Sequence, residues 1–162
     1  MTRRERIDSA VRAGQVSFDG DLTTQAADSF VRGSFVVQVK RPKSLRGIYL
    51  AGGASFGPEL SEKGLRAKLA LVNDGSDKPT FACQPILNTN AVAGKIAVID
   101  RGDCFFVEKV KNAQDAGAVG VIIIHNEPGP PPGLGGSDPS IDIPSVRVTK
   151  KDGKRIKKEL RK

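Results

Sequence analysis

The stretch GKIAVIDRGDCFFVEKVKNAQDAGAVGVIIIHN, residues 94–126, decides the fold of this chain. It contains an apolar run at residues 96–99, a polar turn, an amphipathic segment and a second apolar run at residues 119–124. This order predicts a strand, a turn, a helix and a second strand. Because a helical crossover of about a dozen residues joins two strands of the buried type, we expect the two strands to lie parallel in one sheet.

The helix of this stretch is predicted from one apolar face. Phe106, Val110, Ala113 and Gly117 follow one another at helical spacing, and Gly117 is well placed to end the helix in a left-handed conformation. The preceding turn reads Arg-Gly-Asp at residues 101–103, the tripeptide that integrins recognise. A match of three residues often arises by chance, so adhesion is a weak hypothesis. A helix cap is the simpler role for Asp103.

Further strands are predicted on both sides of this stretch. Residues 34–40 and 48–50 are rich in β-branched or apolar side chains, and residues 65–72 alternate enough to form a half-buried strand. Residues 141–148, IDIPSVRV, predict a short strand. Pro144 interrupts it, and this favours a position at an edge of the sheet.

The C-terminal residues predict a short closing helix. Thr149 and Asp152 have the spacing of a capping box, and Ile156 and Leu160 follow four residues apart. The other side of this helix carries many lysines. Residues 1–30 have no sustained periodicity, so we expect a mobile N-terminal arm followed by one domain at residues 31–162.

The net charge of +8 lies at the two ends of the chain. Residues 1–12 have a net charge of +2 and residues 150–162 one of +6, whereas residues 13–149 carry 14 basic and 14 acidic side chains. A nucleic-acid-binding fold normally carries a basic stripe on its body, so no specific nucleic-acid partner is expected. A basic tail that touches nucleic acid or an acidic membrane is the alternative.

The sequence contains no apolar run near the roughly 20 residues that a membrane span requires. The first residues, MTRRERIDSA, are basic without an apolar segment behind them, so they do not form a secretory signal. If the protein is secreted, we expect this chain to be a piece of a longer precursor. We expect the isolated domain to be a monomer.

Catalytic chemistry has few candidates here. A cysteine hydrolase would use Cys104, near a helix start where thiolate character is favoured, together with the single histidine, His125. The alternative for His125 is a strand-end residue hydrogen-bonded to a loop. The chain has no HExxH motif and no EF-hand pattern, so no metal and no cofactor is expected.

The order of these signals resembles the protease-associated domain, in the version inserted in secreted bacterial proteases. The matching motifs are Gly-Lys-Ile at residues 94–96, Arg-Gly-x-Cys at residues 101–104, and Phe-x-x-Lys-x-x-x-Ala-x-x-Ala-Gly-Ala at residues 106–118. Cys83 and the Ile-Pro-Ser segment at residues 143–145 also fit. The resemblance covers about residues 48–160.

The resemblance implies an α/β (α+β) fold: a β-barrel-like or open-sandwich sheet with a parallel β-α-β crossover and two or more short flanking helices. It also implies a disulfide between Cys83 and Cys104, and hence a secreted or lumenal location. The implied function is a non-catalytic accessory domain of a larger secreted protease, which recognises substrate or gates the catalytic domain. A lumenal cargo-binding domain of a sorting receptor or membrane-bound ubiquitin ligase is the alternative.

The expected contact surface is the loop at residues 127–140, whose three successive prolines favour an extended, pre-ordered backbone. An inert connection is the alternative for this loop. The expected partner is a peptide or protein substrate, or the catalytic domain of the parent protein. The predicted partner-binding residues are Arg101, His125, Asn126, Pro130, Pro131, Pro132 and Leu134.

Overall fold

The computed structural model describes residues 16–17, 22–26, 34–60 and 64–162. Most of the predicted N-terminal arm, residues 1–30, lies outside the described residues. Two pieces of it are described and form strands of the sheet, β1 (Val16–Ser17) and β2 (Leu22–Ala26). These two pieces therefore belong to the sheet, and the mobility of residues 1–30 stays a prediction.

In the described part of the chain, nine strands form one sheet. After β1 and β2, they are β3 (Ser34–Val39), β4 (Gly47–Gly53), β5 (Leu65–Ala67), β6 (Leu69–Leu71), β7 (Ile96–Asp100), β8 (Gly120–Ile124) and β9 (Ser145–Val148). The order of the strands in the sheet is β1-β5-β2-β3-β4-β9-β8-β7-β6. The pairs β6–β7, β7–β8 and β8–β9 are parallel, whereas the pairs β2–β3, β3–β4 and β4–β9 are antiparallel.

The sheet curls because two strands that are adjacent in sequence, β5 and β6, lie near its opposite ends. Strand β5 pairs with β1 and β2 at one end of the order, and β6 pairs with β7 at the other. Only Lys68 separates β5 from β6. The two ends of the sheet must therefore lie close together, which gives the barrel-like shape and confirms the predicted fold class. The single strand predicted at residues 65–72 is in fact these two strands.

Helices cover the two faces of the parallel half of the sheet. Helix α1 (Thr89–Val92) is one turn, α2 (Phe106–Asp115) is the crossover between β7 and β8, and α3 (Lys150–Leu160) closes the chain. Alternate residues of β7 point to opposite faces: Ala97 and Ile99 join the core under α2, and Ile96 and Val98 join the core under α3. The predicted β-α-β crossover is confirmed, since β7 and β8 pair in parallel from Ile96 to Asp100.

Strand β9 is not at an edge, in contrast to the prediction from Pro144. It pairs with β4 on one side and β8 on the other. Pro144 precedes the first residue of β9, and its carbonyl accepts a hydrogen bond from the amide of Val121. Because the proline supplies an acceptor and lies outside the strand, its missing N–H interrupts no pairing.

The structure confirms two of the three predicted helix ends. Gly117 has a φ of +91°, the left-handed conformation expected after α2. Thr149 caps α3 as predicted, because its hydroxyl accepts a hydrogen bond from the amide of Asp152 at 3.0 Å. Asp103 does not cap α2: the N-cap is Phe105, whose amide donates to Glu108 Oε2 at 3.1 Å. The side chain of Asp103 instead pairs with Lys78 at 2.9 Å.

Gly153 lets α3 lie directly on β8. A Cβ atom at this position would stand 2.2 Å from Cγ2 of Ile124 and within 2.9 Å of two more of its atoms. Alanine forms helix better than glycine by about 1 kcal/mol, but overpacking a core costs about 1–3 kcal/mol. We therefore expect Gly153→Ala to lower the free energy of unfolding in urea. Lys154→Ala, at the exposed neighbouring position, is the control, and its free energy of unfolding should change by less than about 0.5 kcal/mol.

Candidate functional site

The disulfide fixes the turn that precedes α2. Cys83 and Cys104 are bonded, with their Cα atoms 5.8 Å apart. The sulfur of Cys104 is therefore not available as a thiolate, and the alternative of a cysteine hydrolase that uses Cys104 and His125 is wrong. The disulfide is the one that the resemblance implied, and it agrees with an extracellular or lumenal location.

A pocket of about 900 Å³ opens beside this turn, and we call it the α2 pocket. Its wall is formed by the turn, by the first turn of α2 and by two short pieces of the loops that follow β8. The lining residues are Arg101, Gly102, Asp103, Cys104, Phe105, Phe106, Val107, Glu108, Asn126, Gly135 and Gly136. Arg101 and Asn126, both predicted as partner-binding residues, therefore lie in the same pocket.

The side chain of Phe105 stands at the wall of the α2 pocket and is 76% exposed. An exposed aromatic ring is costly in water and is a common anchor at protein interfaces. Phe105 adopts this position because it is the N-cap of α2, where the backbone leaves the helix axis. Its neighbour Phe106 turns towards the core and packs against it.

Arg101 forms part of a cationic cluster at the edge of the pocket. Its Nη1 donates to Asn126 Oδ1 at 3.0 Å and lies 3.4 Å from Nδ1 of His125. Nη1 of Arg147 lies 3.3 Å from the same histidine nitrogen. Because arginine can only donate, Nδ1 is the acceptor and His125 is a neutral imidazole that carries its hydrogen on Nε2.

Arg147 is buried, with 3% of its surface exposed, in the middle of β9. Its Nη2 donates to the carbonyl of Gly133 at 2.7 Å, and its guanidinium lies 4.5 Å from the centre of the Phe106 ring. Burial, with a smaller effect of Arg101, lowers the pKa of Arg147 to about 10. No described residue accepts a hydrogen bond from its Nε. Arg147 thus holds the residue 133–136 segment and the Phe106 ring that shape the pocket.

The pKa of His125 is lowered from its ordinary value of 6.5, first by burial and then by Arg147 and Arg101, against a weaker opposite effect of Glu127. The unfolded chain therefore binds a proton more readily than the folded one. We expect the contribution of His125 to the free energy of unfolding to be fully present above pH 6.5 and to be lost as the pH drops through the lower folded pKa. His125→Gln should lose this dependence. The measurement is the free energy of unfolding in urea between pH 7 and pH 5, and parallel curves for both proteins would contradict it.

Lys109 is fully buried under the disulfide. Its Nζ donates to the carbonyls of Phe81 at 2.7 Å and Asp100 at 2.9 Å, and lies 4.9 Å from the centre of the Phe81 ring. Burial lowers its pKa to about 8, against the opposite effects of Asp103 and other carboxylates. Lys109 therefore connects α2 to residues 81–83 and to β7, and it stabilises the turn that forms the wall of the pocket.

The first part of the loop at residues 127–140, which we call the proline loop, lies on another part of the surface, whereas Gly135 and Gly136 of the same loop line the α2 pocket. Pro130 and Pro131 line a groove of about 480 Å³ with Arg46, Tyr49 and Arg155. The loop lies directly on β4, since a Cβ atom at Gly52 would stand 2.4 Å from the carbonyl oxygen of Pro132. The predicted partner-binding residues are therefore divided between the α2 pocket and this groove.

Two of the predicted contact residues have buried side chains. Leu134 is 1% exposed, because its amide donates to Gly53 and its carbonyl accepts from Ser55, which folds the loop onto β4. His125 is 6% exposed, between the two arginines. In this structure both side chains lie beneath the surface and shape the loop and the pocket, and their contact with a partner stays a prediction.

Three residues contribute to the site but were not predicted from the sequence: Phe105, Lys109 and Arg147. A charged residue in the middle of a strand covered on both faces, such as Arg147 between Val146 and Val148, was an available signal. The sequence indicates Lys109 only as the lysine of the motif at residues 106–118. Within the described residues, no three His, Cys, Asp or Glu side chains are grouped as metal ligands, and no helix has the length and apolarity to cross a membrane.

The chain is similar to known proteins in sequence and in fold. A family model described as "PA domain" matches residues 62–156. The human ER degradation-enhancing alpha-mannosidase-like protein 3 is 44% identical over 92 residues, which are 56% of this chain and 9% of that protein. The PRADC1-like protein of Drosophila melanogaster is 33% identical over 111 residues, which are 68% of this chain and 53% of that protein.

The fold also matches a solved structure. BSAP, a zinc aminopeptidase from Bacillus subtilis, aligns with a TM-score of 0.54 and 35% identity over 69% of this chain and 26% of that protein. The minor extracellular protease Vpr of Bacillus subtilis is 31% identical over 70 residues, 43% of this chain and 8% of that protein. Because the family model covers more than half of the chain, the chain belongs to the PA domain family.

Proposed function

We propose that this chain is a non-catalytic accessory domain of a larger secreted or lumenal protein, and that it binds a protein or peptide segment in the α2 pocket. The observation that carries the proposal is the pocket itself, where an exposed aromatic ring stands beside an arginine and an amide on a rigid turn. The disulfide and the buried Lys109 hold this turn in place before any partner arrives. Such pre-ordering lowers the entropic cost of binding.

The parent protein is proposed to be a protease, in which the α2 pocket recognises substrate or faces the catalytic domain. This is supported by the aminopeptidase and extracellular protease among the similar proteins, of which the chain spans only 26% and 8%. A lumenal binding role is the second candidate, favoured by the similarity to the mannosidase-like protein, whose name places it in ER degradation. Both candidates use the same pocket for a polypeptide partner.

The experiment that tests this function selects ligands from a random peptide library on the immobilised full chain and measures their Kd by fluorescence anisotropy. Phe105→Ala and Arg101→Ala should each weaken binding by about tenfold or more, since truncation of an aromatic or arginine anchor typically costs at least about 1–2 kcal/mol. The measurement is made at physiological ionic strength, so that the half-buried Arg101 contributes through contact and not through unscreened charge.

Leu87→Ala is the matched control, because Leu87 is an apolar side chain with 68% exposure that does not line the α2 pocket. This variant should keep the Kd of the unaltered chain. Equal losses for Leu87→Ala and Phe105→Ala, or peptides that bind both pocket variants unchanged, would contradict the proposed site. Circular dichroism of each variant shows whether the fold is retained.

A further inference from the structure

The fold brings two basic segments onto one surface. Residues 40–46 carry four basic and no acidic side chains, and residues 150–162 carry eight basic and two acidic side chains. Twelve basic against two acidic residues give these segments a net charge of +10, which exceeds the +8 of the whole chain. We call this surface the basic face. The sequence alone indicates a basic surface only at the second segment, since the first lies far away along the chain.

The basic face is centred on one stripe of α3. Its exposed residues recur at spacings of three and four, so they project from the same side of the helix, along about 16 Å. The opposite side carries Ile156, which is fully buried in the core. The residues of the stripe are Lys151, Lys154, Arg155 and Lys158 in α3, together with Arg161 and Lys162 directly after its last residue.

Contacts between α3 and the 3₁₀ turn at Lys43–Leu45 fix the two segments side by side. Nη2 of Arg155 donates to the carbonyl of Ser44 at 3.1 Å, and Leu45 and Ile156 share one core. Arg155 and Arg46 line the same groove. The charges of both segments therefore act on a ligand together.

Two lysines in the second segment of the basic face take part in ion pairs. Lys157 pairs with Asp100 at 2.8 Å, and Lys162 pairs with Glu159 at 2.6 Å. Within the described residues, Lys151, Lys154 and Lys158 form no ion pair. Like charges held this closely repel one another, and a multivalent anion would relieve the repulsion.

We propose that the basic face binds an acidic polysaccharide. An interfacial helix inserts its apolar side into a membrane, but the apolar side of α3 is buried in the core. Single-stranded nucleic acid is bound on aromatic stacking platforms, but the two segments of the basic face contain no aromatic residue, and the neighbouring Tyr49 is 7% exposed and lies below Arg155. The disulfide fits an extracellular or lumenal compartment, where a linear sulfated or carboxylated polymer matches a stripe of separated charges.

The test applies the full chain to immobilised heparin, an acidic polysaccharide, and elutes it with a sodium chloride gradient. The unaltered chain should elute above about 0.3 M salt, since several ionic contacts survive physiological screening. The triple variant Lys151→Gln, Lys154→Gln, Lys158→Gln should elute at least about 0.1 M earlier, because it removes three of these contacts. Replacing the same three lysines by arginine should restore retention.

The control variant Lys78→Gln, Lys95→Gln, Lys111→Gln loses the same net charge from outside the basic face. It should elute within about 0.05 M of the unaltered chain, because screening weakens charges that do not touch the polymer. Equal shifts for the two triple variants, or elution of the unaltered chain below physiological salt, would overturn the proposal. So would stronger binding to vesicles with anionic lipid, or to duplex DNA, than to heparin in competition at equal ionic strength.

Discussion

Replacing Cys83 and Cys104 together by serine is expected to lower the free energy of unfolding by about 3 kcal/mol. The two residues are 21 positions apart, and a crosslink that closes a loop of this size restricts the unfolded chain by about that amount. Typical domains are stable by only about 5–15 kcal/mol, so the loss is a large share of the total. Urea unfolding of the oxidised chain and of the double variant measures the difference.

The disulfide prediction has an internal control. Reduction of the unaltered chain should bring its urea midpoint to that of the double serine variant, whereas the same reductant should leave the double variant unchanged. A loss below about 1 kcal/mol would mean that the unfolded chain is already compact around this loop. Loss of the disulfide should also change the shape of the α2 pocket, because Cys104 is part of its wall.

Lys109→Met is expected to destabilise the domain by a similar amount, about 3 kcal/mol. The substitution keeps most of the side-chain volume but leaves the part-buried carbonyls of Phe81 and Asp100 without this donor, and an unsatisfied group away from water costs about 1–3 kcal/mol. Lys111→Met is the control on the same helix. Its ammonium pairs with Asp115 at 3.5 Å on an exposed surface, where such a pair contributes at most about 1 kcal/mol.

Lys109 also gives the domain an alkaline pH dependence. Its pKa is about 8 in the folded chain and 10.5 in the unfolded chain, so between these values the unfolded chain binds more protons. Stability from this group therefore rises as the pH increases from 8 to 10.5, by up to about 3 kcal/mol. The difference in unfolding free energy between the unaltered chain and Lys109→Met should grow over this range, and a constant difference would contradict it.

The crossover and the order of elements around it could be predicted from the sequence because their signals are local. Consecutive apolar residues at 96–99, helical spacing from Phe106 and the capping pair at Thr149 each depend on neighbours within a few positions. The curl of the sheet depends instead on pairing between distant strands. No local pattern indicates that Lys68 separates the two ends of one sheet, or that Pro144 stands just outside a central strand.

The site was predictable only in part for the same reason. Arg101 and Asn126 follow parallel strands, so their meeting at one edge could be expected. The burial of Leu134 and His125 could not, since it depends on the proline loop folding back onto β4 and on Arg147 reaching across to Gly133. The basic face likewise needs the fold, because its two segments are about a hundred positions apart in sequence.

The pairing of β4 with β9 has a consequence for where this domain can be cut. The family match begins at residue 62, beyond β3 and β4, yet β4 pairs with β9 through Ala51, Gly52 and Gly53. A fragment that starts at the family boundary would leave one side of β9 with open amides and carbonyls, a template for edge-to-edge aggregation. Because β3 pairs in turn with β2, and β2 with β5, a fragment without these open edges must include β2 as well as β4, and expression of this domain should begin before Leu22.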